Sequence, residues 1–186
     1  MRAPRIRVHF SFFAFNALIF LLRDGILIMN FYTVCAVHEA GHIIAAVLSG
    51  KRIISADISG FGIRMQTRQN RLSSVSEELF VLLSGPGANL LLYLLMNTLS
   101  CGGSFPILNL AAAVYNLLPY RQLDGGALIY VLTAGTPCEA AAVKVLSAAK
   151  LLLSGLLLVL VLHFGSAVIP LFAASVILFA ADLKRR

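Results

Sequence analysis

Long apolar runs, broken only by short polar joints, occupy most of this chain and leave it few ways to fold. They extend from about 8 to 22, 26 to 48, 79 to 99, 105 to 118, 143 to 162 and 167 to 181. The chain has 186 residues, of which 59% are apolar and 12% charged, about half the charge of an ordinary soluble domain. Most of it cannot face water, and the surplus belongs in lipid. The expected class is therefore an all-α membrane protein with about six transmembrane helices. A shorter apolar stretch, 127 to 134, follows a break at 119 to 126. It either extends the fourth segment as a discontinuous helix or lies as a re-entrant piece.

The formal charge is +7, but the basic residues form no patch interleaved with aromatics, so nucleic acid is not an expected partner. They sit between apolar stretches, where Lys and Arg set topology. With a cytoplasmic amino terminus, the connection after the second segment carries Lys51, Arg52, Arg64, Arg68 and Arg71, and the tail carries Lys184, Arg185 and Arg186. Lys144 and Lys150 fall at the cytoplasmic start of the fifth segment. The opposite side has Arg23, and none between the third and fourth segments. That asymmetry predicts an even number of spans with both termini in the cytoplasm. Arg2, Arg5 and Arg7 before an apolar stretch imitate a secretory signal, but Leu22 runs into Arg23-Asp24-Gly25 with no small-residue cleavage site. It reads as an uncleaved first segment, short at roughly 22 Å if helical. Cys35, Cys101 and Cys138 are odd in number and far apart, which argues for small apolar residues and against a disulfide framework.

The segment from Lys51 to Asn70 is no membrane helix. Ile53, Ile54, Ile58, Phe61, Ile63 and Met65 alternate with Ser, Asp, Gly, Arg and Gln, and Gly60-Phe61-Gly62 permits a turn. It predicts either a small β-hairpin at the membrane surface or an amphipathic loop. No internal repeat is present, and 1–186 reads as a single membrane-embedded core.

Within the second segment stands Val37-His38-Glu39-Ala40-Gly41-His42-Ile43. Positions i and i+4 lie on one helix face, so both imidazoles can reach one metal. Glu39, one residue along, can reach a water on that metal. Two His ligands with a Glu base are the arrangement of a zinc hydrolase. Ionisable groups at membrane depth are costly and rarely retained without a function. Gly41 lets a neighbouring helix approach closely.

A catalytic zinc needs a third protein ligand. His9 lies near the amino terminus and His163 at the far membrane face. Asp24 is at the outer side, Asp57, Glu77 and Glu78 are placed in the basic connection, and Asp182 is in the tail. Asp124 differs, sitting between apolar stretches in Asn116-Leu117-Leu118-Pro119-Tyr120-Arg121-Gln122-Leu123-Asp124-Gly125-Gly126. If the break is tucked into the bilayer, the depth of Asp124 matches that of His42, about 12 Å from the cytoplasmic end of its helix. Asp124 is the expected third ligand; otherwise it is the N-cap of a helix beginning at Ala127. Cys35, one turn before His38, would close the site to water if it were a fourth ligand.

These motifs, with His9-Phe10-Ser11-Phe12 on the first segment and Ser84-Gly85-Pro86-Gly87-Ala88-Asn89 on the third, resemble the site-2 protease family of intramembrane zinc metalloproteases. They are most similar to its compact bacterial subgroup, which includes the sporulation stage IV factor-processing peptidase. The resemblance implies one zinc per chain, held by His38, His42 and Asp124, with Glu39 as general base. It also implies that Asn116 orients substrate or the developing oxyanion, although a helix-end cap would suit an Asn there as well. Asn89 is expected to fix helix packing. Gln122 replaces the Pro usual in the subgroup, which predicts a less rigid loop.

By the same resemblance the partner is a membrane-associated protein substrate, such as a transcription-factor precursor, cut in or beside its membrane segment. The setting is the bacterial cell membrane. Relatives with a PDZ or nucleotide-sensing domain are longer; the bare core expected here would be regulated by partners such as separate membrane proteins, by substrate exposure or by expression. Two other readings use the same residues, a membrane metal carrier and an inactive scaffold. Carriers do not need Glu39 and usually show repeated halves.

Overall fold

The computed structural model describes residues 5–10, 12–13, 16–17, 25–59, 62–68, 73–164, 173, 175–177 and 179–180. The chain divides into two units, Met1–Val114 and Tyr115–Arg186, taken here in turn.

The first unit opens on strand β1 (Arg5–Val8), followed by helix α1 (Gly25–Leu48). Gly50, with φ +70°, adopts the left-handed conformation that glycine tolerates without strain. It turns the chain into β2 (Arg52–Ser59), which pairs antiparallel with β3 (Gly62–Arg68). The hairpin reading of 51–70 is thus the one realised; Gly60 and Phe61 of its turn lie outside the described residues. β1 adds a parallel third strand beside β2, with Arg5 opposite Ser55 and Val8 opposite Ile58. The register sets Ile6, Ala56 and Met65 in one row and Arg7, Asp57 and Arg64 in the next. Arg7 Nε meets Asp57 Oδ1 at 2.9 Å. A strand at Arg5–Val8 was not expected, because the sequence there reads as a basic start running into the first apolar segment. The rest of that segment lies largely outside the described residues.

Helix α2 (Val75–Thr98) starts earlier than apolarity alone predicts. Ser74 caps it by accepting from Glu77 N while Glu77 reaches back to the Ser74 backbone, a reciprocal capping box. Glu77 and Glu78 therefore belong to the first helical turn, which corrects their placement in the preceding connection. Acidic groups there also meet the positive end of the helix dipole. Helix α3 (Ser104–Asn116) follows and runs up to the start of the second unit.

In the second unit the chain breaks after Asn116 and begins a separate helix, α4 (Asp124–Thr133), then α5 (Glu139–Phe164). The apolar stretch after the break is thus a helix of its own, starting at Asp124 rather than Ala127. Tyr120 and Leu123 form a small core, packed by Tyr115, Leu118, Leu153 and Phe179.

Among the described residues, three helices are long and apolar enough to cross a membrane: Gly25–Leu48, Val75–Thr98 and Glu139–Val159. These match the second, third and fifth expected segments. The fourth forms α3, which at 13 residues reaches only about 20 Å. The sixth lies largely outside the described residues, as does the basic tail. The burial pattern supports a lipid setting. Among the described residues the largest fully buried side chains are Tyr120, Asn89 and Asn109, whereas Leu91, Leu95, Leu152 and Leu162 stand exposed. A water-soluble fold sorts these residue types the other way.

Candidate metal centre

α1 presents His38 and His42 one turn apart, and both rings are buried, each 8% exposed. The rings meet edge to face with centroids 4.7 Å apart, and their Nε2 atoms lie 3.1 Å from each other. Each Nδ1 is engaged from α2. That of His42 is 2.7 Å from the carbonyl oxygen of Val81, which can only accept, so His42 Nδ1 carries the proton. That of His38 is 3.0 Å from Asn89 Oδ1.

Local sequence on α2 makes this approach possible. Pro86 sits inside the helix and has no N–H for the carbonyl of Leu82, four residues back. Val81 O accepts from Ser84 Oγ at 2.7 Å as well as from His42. Gly41 packs where a Cβ would fall 2.3 Å from Ser84 O, and at Gly85 a Cβ would fall 2.2 Å from His42 Nε2. Small residues at both positions bring the helices together, as expected of Gly41, and leave room beside the imidazoles.

These residues fit a metal ion. Two neutral rings protonated at Nδ1 would aim two lone pairs at each other across 3.1 Å, which is repulsive unless a cation or a proton lies between them. A tetrahedral zinc with bonds of about 2.0–2.1 Å would space two nitrogens by about 3.3 Å. Glu39, half-buried, follows His38 directly. Cys35 is exposed, as are Cys101 and Cys138, and all three are free thiols.

In the second unit Asn116 is the half-buried last residue of α3. Leu123 is the N-cap of α4 and makes no side-chain cap bond. Asp124 is therefore a first-turn residue, and the capping alternative for it falls. Its carboxylate benefits from the helix dipole. The loop before it folds tightly onto the helix start. A Cβ at Gly125 would stand 2.1 Å from Leu117 O, and one at Gly126 2.2 Å from Tyr120 O. Tyr120, fully buried, anchors the loop, with Lys150 Nζ 5.8 Å from its ring centre.

The structure thus brings His38 and His42 together and seats Asp124 and Asn116 on either side of one glycine-dependent turn. Asn109, which donates to Phe105 O and accepts from Asn89, was not anticipated. Its only signal is an amide in an otherwise apolar stretch.

No protein-family profile matches the chain, and no curated protein matches it. Among solved structures, the Site-2 Protease from Methanocaldococcus jannaschii matches with a TM-score of 0.67 and 19% identity. The match covers 96% of this chain and 89% of that one.

Proposed function

Proceeding from a membrane protein with the fold of a site-2 protease, we propose that this chain is an intramembrane zinc endopeptidase. Its substrate is a membrane-associated protein, a transcription-factor precursor among the candidates, cut in or beside its membrane segment. The observation that carries the reading is the pair of buried imidazoles with Nε2 atoms 3.1 Å apart, each held at Nδ1 by an acceptor on α2. With Asp124 as the proposed third ligand beside His38 and His42, two imidazoles and one carboxylate would leave a fourth position for water.

When bound, zinc supplies Lewis acidity to the scissile carbonyl and to the attacking water. Glu39 takes the proton of that water and delivers it to the leaving amine. Asn116, at the mouth of the turn that carries Asp124, orients the substrate carbonyl. The substrate must be unwound locally, since a helix hides its scissile bond among backbone hydrogen bonds. With strand order β1-β2-β3, β3 is an edge to which an extended segment can add by backbone pairing.

We further propose, from the motifs around Asn116 and Asp124, a member of the compact bacterial subgroup: a multi-pass protein of the cell membrane with both termini in the cytoplasm and separate membrane proteins as regulators. Purified protein in detergent, mixed with a membrane-anchored precursor, is expected to cut it and to stop when a chelator is added. Cleavage that persists through exhaustive chelation contradicts the proposal. A metal carrier would give no cleavage in either condition.

A further inference from the structure

Asn89 and Asn109 are fully buried in an apolar bundle, and their amides are wired in one direction. Asn109 Nδ2 donates to Phe105 O at 3.0 Å. A carbonyl only accepts, so this bond turns Asn109 Oδ1 towards Asn89. Asn89 Nδ2 then donates both to Asn109 Oδ1 at 2.9 Å and to Val34 O at 3.1 Å. Both acceptors claim the nitrogen, and Asn89 Oδ1 is left facing His38 Nδ1 at 3.0 Å. An amide oxygen also only accepts. The proton of His38 therefore resides on Nδ1, and Nε2 keeps its lone pair.

We infer that Asn109, which touches neither imidazole, is a positioning residue for His38: through Asn89 it fixes the tautomer in which Nε2 can bind a metal. A reversed Asn89 amide would set its oxygen against Val34 O and Asn109 Oδ1 and its nitrogen against His38 Nδ1. The proton would then move to Nε2 and the ligand would be lost. The carbonyls of Val34 on α1 and Phe105 on α3 anchor the relay, so α2 sets the ring of His38 only while α3 holds Asn109 in register. The inference rests on reading His38 and His42 as metal ligands.

The test uses the full chain in detergent, stripped of metal and titrated with Co²⁺, followed by visible absorption and by competition with a chromophoric chelator. Asn109→Leu is expected to weaken Co²⁺ binding about tenfold or more, the range found when partners of metal-bound histidines are removed. Asn109→Asp is expected to restore most of that loss. Its carboxyl, kept neutral by burial, donates to Phe105 O and accepts from Asn89. The double variant Asn89→Leu/Asn109→Leu is expected to bind no more weakly than Asn89→Leu alone, because Asn109 acts through Asn89. Wild-type affinity in Asn109→Leu, additive losses in the double variant, or no rescue by Asp would overturn the inference. If Asn109→Leu does not fold, ¹⁵N-histidine NMR of the metal-free wild type at alkaline pH decides, with a proton on Nδ1 of His38 expected and one on Nε2 contradicting it. If the wild type binds no Co²⁺, the metal reading fails, and the same spectrum still tests the tautomer.

Discussion

At Gly85 a Cβ would stand 2.2 Å from Nε2 of His42, so even a methyl group takes the space in which that lone pair meets a ligand. The ring cannot simply swing aside, because Nδ1 is tied to Val81 O. Gly85→Ala is therefore expected to lower metal affinity about tenfold or more with little change in helix content, read by Co²⁺ titration beside circular dichroism. Unchanged affinity would show that the space is not needed. Asp124→Asn replaces the proposed charged oxygen ligand with a neutral amide, and zinc content after purification should fall with activity. Full zinc and activity would remove Asp124 from the site. The candidate ligands were legible because helix periodicity alone puts His38 and His42 on one face, and Asp124 stood out as a carboxylate between apolar stretches. Asn89 was legible only as a packing residue. Its contact with His38 and the support from Asn109 depend on where α2 and α3 lie, which no local pattern encodes.

Among the elements, α2 shows how an end is set by caps rather than by apolarity. The apolar run begins at Leu79, yet the helix begins at Val75, because Ser74 and Glu77 satisfy each other's backbone donors. The spacing of a Ser three residues before a Glu was there to be read, and the hydropathy step obscured it. Ser74→Ala should destabilise the protein by about 0.5–2 kcal/mol, measured as a shift in the midpoint of unfolding in denaturing detergent; no shift would mean the box contributes nothing. β1 is a different case. Four residues, Arg5–Val8, make a strand only because β2, some fifty residues on, offers an edge, and Arg7 finds Asp57 there. The hairpin itself was visible in the alternation from Ile53 to Met65. A break was visible at 119 to 126, but neither its beginning after Asn116 nor the start of α4 at Asp124 was, since Gly125 and Gly126 read as loop residues until Leu117 O and Tyr120 O are seen against them.

For the whole molecule, exposed leucines and buried amides describe a protein whose solvent is lipid. The proposed topology puts the sheet on the cytoplasmic side and the connection after α2 on the other. In a background with Cys35, Cys101 and Cys138 replaced, a cysteine at Gln66 should label from the cytoplasm and one at Gly102 only from the opposite face; reversed labelling would invert the topology and leave the metal chemistry standing. The central claim is that this chain hydrolyses peptide bonds with a metal held by α1 and a proton carried by Glu39. Comparing zinc content and cleavage of a membrane-anchored precursor between the wild type and Glu39→Gln tests it most directly. The account expects the variant to keep about one zinc per chain while cleavage falls by about 10²-fold or more. A variant that retains its zinc and cuts at the wild-type rate would contradict it.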